Sequence, residues 1–423
     1  MELQLPKGVR DFPPEEMILR NKLISTLQQV FERYGFNPLE TPTFERLDVL
    51  SAKYAGGAEI LKETFRFKDQ GDRELALRYD LTVPFARFVG MNPQLKQPFK
   101  RYAIGRVYRD GPIKLGRYRE FYQCDADVVG SASILADAEC VRMALAGFKE
   151  LGLPVKISVN NRKLLDELLE KGGVPKERAV EAMLVLDKLK KIGLADVKKE
   201  LAEKAIPEAS VDFIITISTD NKSNDEKFEL IKEYVGETPG TRELAELLSY
   251  LADAADVVFD PSLARGLAYY TGTVFEGFVP ESKVTSSVCG GGRYDTLIAG
   301  LLDNKQAYPA VGFSFGLEPI MDALKEKNPA ERRTLAKAYV IPIKAPNDGF
   351  AVAEQFRQAG VPVDLDLNGR SISKNLDYAN SYSIPFVVIV GKKELEAGKV
   401  KLKDMASGEE SLVTVEEAIG KLK

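Results

Sequence analysis

The chain has 423 residues, enough for two to four domains and a large core. Lys plus Arg number 59 against 63 Asp plus Glu, a net charge of -4, so any nucleic-acid binding must rest on a local patch. There is no histidine, which excludes Ser-His-Asp and Cys-His nucleophile pairs, a histidine general base and histidine metal ligands, and leaves carboxylates, guanidinium groups, hydroxyls or bound magnesium to do chemistry.

The N-terminus, MELQLPKGVRDFPPEE, carries no apolar leader, and no stretch reaches the ~18 consecutive apolar residues of a membrane span. Pro13 and Pro14 open a helical pattern that Gly35 ends. Residues 36–50 read as extended, and 64–90 as a hairpin followed by a helix starting near Pro84. KRYAIGRVYRD and RYREFYQCDADVVG read as two long antiparallel strands around the loop GPIKLG. From about 161 to 250 the texture turns helical and charged, as in an inserted unit. Strand-like sequence returns at DVVFDPSLARGLAYYTGTVFEGFV and CGGGRYD, then GFSFGLEPIMDALKE runs from strand to helix with Pro319 in its first turn. After KEKNPAERR the pattern alternates strand and helix as in an α/β domain. Cys124, Cys140 and Cys289 lie far apart, without metal-ligand spacing, and read as buried thiols in a reducing compartment.

The strongest local anomaly is charge. Residues 96–119 carry eight basic side chains opposed only by Asp110, a local +7. Arg101, Arg109, Arg117 and Arg119 are interleaved with Tyr102, Tyr108, Tyr118, Phe121 and Tyr122, a texture that suits phosphate and base recognition. A solvated basic hairpin would account for the charge alone. Asp80, Asp125 and Asp127 sit in apolar strand sequence, where each by itself reads as a strand-edge or ion-paired acid. Arg265 lies beside Tyr269 and Tyr270, and GGGRYD at 290–295 lets backbone approach a ligand or a neighbouring strand closely.

In this order and spacing the motifs resemble class II histidyl-tRNA synthetases nearly end to end. KGVRDFPPEE is similar to the family's N-terminal signature, GFNPLETPTFE to motif 1, RVYRDGPIKLGRYREFYQCDAD to motif 2 and GFSFGLEPI to motif 3. ARGLAYYTGTVFE and GGGRYD resemble its two histidine-specific peptides. The resemblance implies an α+β catalytic core, an antiparallel sheet flanked by helices, at 1–170 and 249–325. It implies a helical insertion at 171–248, a linker at 326–333 and an α/β anticodon-binding domain at 334–423. The expected reaction is ATP-dependent ligation of L-histidine to tRNA(His) through a histidyl-adenylate, with ATP and Mg2+ as cofactors, in a cytoplasmic homodimer. Pro42 would lie near the subunit interface.

Carried over position by position, Asp80 and Thr82 match holders of the substrate's α-ammonium group, and Gln123 and Asp127 match readers of the amino acid. Tyr269 and Tyr270 match histidine-pocket tyrosines. Arg109 matches the motif 2 arginine on the carboxylate and α-phosphate, Arg117 an arginine near the outer phosphates, and Phe121 the aromatic that stacks on adenine. Arg265 matches the arginine at the reacting carboxylate and α-phosphate. Two positions depart from the family pattern: Pro319 stands where motif 3 has an arginine, and Ala268 where many relatives have an aspartate. The rival expectation is a non-catalytic, synthetase-like regulator of histidine biosynthesis, which Pro319 alone favours.

The C-terminal 90 residues balance 12 basic against 12 acidic side chains, so the anticodon role rests on resemblance, with Arg370, Ser373 and Lys374 as candidate contacts. A synthetase of this kind without histidine can be translated when its own product is scarce. Composition drift would account for the same absence.

Overall fold

The computed structural model describes residues 2–52, 61–265, 269–304, 308–327 and 333–423, with backbone only at 190 and 191. Ala268 and residues 328–332 of the expected linker lie outside the described residues. The chain forms two compact units, Met1–Arg10 with Leu23–Lys327, and Asp11–Lys22 with Asn328–Lys423.

The helix Pro14–Arg33 begins at the second of the two prolines and is followed by Gly35 in the left-handed region, φ 78°. Strand β1 (Asn37–Pro38) is short, and β2 (Phe44–Arg46) starts a small three-stranded sheet completed by β3 (Arg66–Lys68) and β4 (Glu74–Leu77). The expectation that residues 36–50 are extended fails at its end, because Leu47–Leu50 is one helical turn. Leu50 is buried there against the apolar cluster that holds Val83 and Phe85, a tertiary demand that local punctuation by prolines does not reveal. The helix Thr82–Met91 starts two residues before Pro84, which therefore sits in its first turn.

Two ten-residue strands follow, β5 (Phe99–Tyr108) and β6 (Glu120–Val129), paired antiparallel along their whole length. The helix Ile134–Glu150 leads to β7 (Lys156–Asn161). Helices then run from Arg162–Lys171 to Pro239–Tyr250. They include Asp212–Thr219, whose continuous apolar run carries no helical spacing and is missing from the sequence-based expectation. Strands β8 (Val257–Phe259), β9 (Thr273–Phe278), β10 (Cys289–Arg293) and β11 (Ala310–Gly316) return the chain to the main sheet, and β11 runs directly into the helix Leu317–Lys327. The eight strands lie in the order β1-β5-β6-β11-β10-β9-β7-β8. The six central ones pair antiparallel, and only the two edge pairings, β1 with β5 and β8 with β7, are parallel.

The C-terminal unit has its own five-stranded sheet: β12 (Ala338–Ile343), β13 (Val363–Leu365), β14 (Phe386–Gly391), β15 (Val400–Asp404) and β16 (Glu410–Val413), in the order β13-β12-β14-β15-β16. The first three are parallel and the last two antiparallel. Apolar residues alternate between two cores: Ala338 and Val340 pack under the helices Pro346–Gln358 and Val415–Leu422, while Tyr339 and Ile341 pack with Ala379 of Ile372–Ser381. Burial on both faces is why these strands read as continuous apolar runs.

Candidate active site

A single face of the main sheet floors a cleft of about 1160 Å³. Residues directly opposite in neighbouring strands share a face. The register therefore stacks the floor in rows. One row runs Val274, Gly292, Gly312, Asp127, Arg101; the next runs Glu276, Gly290, Ser314, Asp125, Ala103; the third brings Gly316 beside Gln123 and Gly105; Phe121 and Val107 form a fourth. Glycines make the hollow. A Cβ on Gly312 would sit 2.0 Å from Asp127 Oδ1, and one on Gly290 would sit 1.6 Å from Arg265 Nη1.

The structure brings all ten sequence-derived candidates to this cleft: Asp80, Thr82, Arg109, Arg117, Phe121, Gln123, Asp127, Arg265, Tyr269 and Tyr270. Asp80, 6% exposed, accepts a hydrogen bond from Val83 N, 3.1 Å away, at the start of the helix that Thr82 opens. Arg109, half-buried just past the end of β5, donates to Tyr79 O at 3.0 Å, and its guanidinium carbon lies 5.2 Å from the Phe121 ring centre. Burial lowers the Arg109 guanidinium and Asp80 opposes that shift. The Tyr269 and Tyr270 rings are buried and 4.8 Å apart.

Asp127 forms the floor of the deepest row. Its Oδ1 accepts from Tyr294 Oη at 2.5 Å, and Arg101 Nη2 lies 2.7 Å from its Oδ2 as an ion pair. Burial raises the Asp127 carboxyl, and Arg101 works against that rise. Arg265 sits over Gly290, 3.6 Å from Glu276 and with Nη1 3.3 Å from Phe275 O. Its backbone is left-handed, φ 52°, a conformation that L side chains adopt only when the surroundings impose it. Asp187 imposes it: one carboxylate oxygen accepts from Ala264 N at 3.2 Å and Arg265 N at 2.9 Å.

Four buried polar atoms of the cleft have no hydrogen bond within the protein: Gln123 Oε1, Asp125 Oδ1, Arg265 Nε and Asp127 Oδ2, which Arg101 meets by charge alone. Buried polar groups are normally satisfied, so such a concentration marks a place that receives a polar ligand. Arg109, Arg117 and Arg265 add fixed positive charge along the same wall. The chemistry this set can perform is alignment and charge stabilisation of an anionic reaction, with no general base required.

The basic run resolves unevenly. Arg119 pairs with Asp110 at 2.8 Å, Lys100 with Glu139 at 2.7 Å, and Arg101 turns inward to Asp127. Tyr102 faces the opposite side of the sheet, stacked on Phe31 at 5.4 Å. Of the four arginines singled out, only Arg109 and Arg117 line the cleft, and Arg117 lies 3.3 Å from Glu63. Pro319 lines the cleft as well; a Cβ on Gly116 would lie 3.3 Å from its Cβ, so the hairpin tip packs against it. The reading of Asp80, Asp125 and Asp127 as acids that pair or sit at strand edges holds for the Asp127 ion pair, but all three are buried. All three cysteines are buried and free. Arg370, Ser373 and Lys374 are exposed, and the Arg370 guanidinium lies over Tyr378 at 5.2 Å.

Sequence reasoning missed Tyr294, Glu276, Ser314 and Asp187 as cleft residues. Tyr294 was visible in GGGRYD; Asp187 gave no signal, because a helix end about 78 positions away meets Arg265 only in the fold.

The family described as histidyl-tRNA synthetase matches residues 8–320, and the family described as anticodon binding domain matches residues 337–423. The chain is 44% identical over 418 residues to a histidine--tRNA ligase 1 of Bacillus cereus, covering 97% of each. It is 42% identical over 424 residues to histidine--tRNA ligase of Aeropyrum pernix, covering 98% of this chain and 96% of the other. The solved histidyl-tRNA synthetase from Nostoc sp. PCC 7120 superposes with a TM-score of 0.86 at 31% identity, covering 100% of this chain and 99% of the other.

Proposed function

The chain belongs to the histidyl-tRNA synthetase family, and we propose that its cleft ligates L-histidine to tRNA(His) through a histidyl-adenylate, with the ten residues above as its working parts. The observation that carries this is their convergence, from separate strands and loops, on one floor with four unsatisfied polar atoms. The amino acid's carboxylate is ionised at neutral pH and attacks the α-phosphorus of ATP, expelling diphosphate. Arg109 and Arg265 hold carboxylate and α-phosphate together and stabilise the charge that builds between them. Arg117 meets the outer phosphates, and Phe121 stacks on the adenine.

Asp80 and Thr82 hold the α-ammonium group, and Gln123 reads the amino acid together with Asp127. Asp127, oriented by Tyr294 and Arg101, accepts an imidazole N–H, and a tyrosine hydroxyl of Tyr269 or Tyr270 serves the second ring nitrogen. A site that contacts both nitrogens rejects amino acids lacking one by ~10⁴ or more, since its own buried groups would go unpaired. Among the described residues no three Asp, Glu or Cys side chains converge on a metal position. Magnesium would arrive with ATP as part of the substrate, and every step here uses this chain's side chains alone. In the second step a tRNA 3′-end hydroxyl attacks the adenylate carbonyl, its proton passes to a phosphate oxygen of the adenylate, and AMP leaves.

The division into core, helical insertion 171–248, linker and anticodon-binding domain 334–423 fits this reading, as do a homodimer with Pro42 near the interface and a cytoplasmic location. No helix of the described residues is long and apolar enough to cross a membrane. The test is ATP–pyrophosphate exchange with a panel of amino acids, followed by charging of tRNA(His). Exchange confined to L-histidine is expected, and Asp127→Asn should reduce it about 10²-fold or more at limiting histidine. Exchange with a different amino acid would point to another synthetase. No exchange at all would favour the regulator.

A further inference from the structure

Arg78 does not line the cleft, yet it is 5% exposed and stands two positions before Asp80. Its guanidinium grips two separate stretches of backbone. Nη1 donates to Thr41 O at 2.6 Å and to Pro42 O at 3.3 Å, and Nε donates to Arg106 O at 2.9 Å. A planar, rigid fork can serve carbonyls on two segments at once, whereas an ammonium on a flexible stem fixes no such geometry. Nη2 sits over Gly105 of β5, where a Cβ would come within 2.5 Å of it. Burial pulls the guanidinium down, and Tyr108, Glu40 and Asp125 favour its charge.

The backbone that follows Arg78 carries the site. Strand β4 ends at Leu77 and the next helix starts at Thr82, so residues 78–81 belong to neither element. They are held by contacts to their neighbours instead. Arg78 N donates to Thr43 O at 3.0 Å, and Arg78 O accepts from Tyr108 N at 3.0 Å. Tyr79 O accepts from Arg109 Nε at 3.0 Å, and Leu81 O accepts from Arg101 Nη2 at 3.2 Å. Asp80 lies inside this set of anchors. A shift of Thr41–Pro42 against β5 is therefore passed through Arg78 to Asp80 and, through Tyr79 O, to Arg109.

We propose that Arg78 is a positioning residue of adenylate formation: it locks the Thr41–Pro42 segment to the end of β5, so that Asp80 and Arg109 meet the substrate together. The inference rests on the synthetase reading, which gives Asp80 and Arg109 their tasks. Arg265 stands outside this linkage, because Asp187 sets its backbone from another helix end. The same reading puts Pro42 near the subunit interface, which makes Arg78 the side chain that joins that segment to the cleft.

The experiment is ATP–pyrophosphate exchange by the full chain carrying Arg78→Lys, alone and combined with Arg109→Ala or with Arg265→Ala. Rates are counted per folded chain, with the folded fraction taken from melting curves. Arg78→Lys keeps the charge and loses the fork. Its kcat should fall about 10²-fold, the loss that a misplacement of about 1 Å brings. That loss should persist in the Arg265→Ala background and shrink to within about threefold in the Arg109→Ala background, since a positioning residue acts through the group it positions. A residue that only stabilises the fold would lower the melting temperature and leave kcat per folded chain unchanged. That result, or an equal loss in both backgrounds, would overturn the proposal. No exchange with L-histidine by the unsubstituted chain is a separate result, which overturns the synthetase reading and takes the proposal with it.

Should Arg78→Lys fail to fold, Gly105→Ala decides. It keeps Arg78 and crowds Nη2 out of its place, and the obstruction is the end of a side chain rather than backbone. Its melting temperature should stay within a few degrees of the parent while kcat falls about tenfold or more, with the same dependence on the Arg109 background. A kcat equal to that of the parent contradicts the role.

Discussion

Asp80 accepts a hydrogen bond from Val83 N and lies near Arg109, yet burial dominates and pushes its carboxyl up to about 6. Between the ordinary value, about 4, and that value, the folded chain holds a proton that the unfolded chain has released. Stability from this group is therefore present at low pH and falls as pH rises through that window, by on the order of 3 kcal/mol in all. Asp80→Asn keeps an oxygen for the Val83 amide and removes the titration. Melting curves of variant and parent should lie close at pH 4, with the variant gaining progressively by pH 7. A difference that is the same at both pH values would show that Asp80 does not titrate in this window. The carboxylates were legible in sequence as acids amid apolar residues. Their elevated values were not, because desolvation depends on what the fold stacks over them.

At the scale of the strand, β10 shows why three successive glycines matter differently. A Cβ on Gly290 would meet the far end of the Arg265 side chain, which can swing away. A Cβ on Gly291 would meet Gly312 O at 2.2 Å and the Phe313 backbone in the next strand, which cannot. Gly290→Ala should therefore melt within a few degrees of the parent yet lose about 10²-fold or more in pyrophosphate exchange, as removal of a charge-stabilising group does. Gly291→Ala should fold poorly, as overpacking in a paired strand predicts. Equal damage to stability in both variants would remove the distinction. The sequence showed that backbone comes close to something here. Only the strand register assigned one glycine to a side chain and the next to a strand.

The loop that carries Arg265 depends on a helix end in the same way. Asp187 holds the backbone amides of Ala264 and Arg265. Asp187→Ala should lower kcat for adenylate formation more than it raises KM for histidine, while Asp187→Asn, which keeps an acceptor oxygen, should recover most of the rate. In an Arg265→Ala background, Asp187→Ala should add little, since a positioning residue acts through the group it positions. Full additivity of the two losses would mean that Asp187 acts by another route.

At the scale of the molecule, that contact changes what the helical segment does. Asp187 belongs to the segment expected to be an insertion between halves of the core, and it lines the cleft. Deleting residues 171–248 should consequently depress pyrophosphate exchange even without tRNA. Exchange unchanged by the deletion would show that the segment is only a spacer for the first step.

The linear sequence determined most element types and their order. Periodicity, proline and glycine punctuation, and strand-length apolar runs are properties of neighbours along the chain. It also determined the class of chemistry, because a chain with no histidine, a cluster of arginines and isolated acids leaves little but charge stabilisation. Family resemblance then put ten residues in one site. The tertiary structure decided the rest: which arginines face the cleft and which are spent on Asp127 and Asp110, which glycines make room, and which distant carboxylate sets the backbone of Arg265. Those outcomes depend on strand register and on contacts between residues far apart in sequence. A one-residue change in register would turn Asp125 and Asp127 away from the cleft, and no local pattern fixes that.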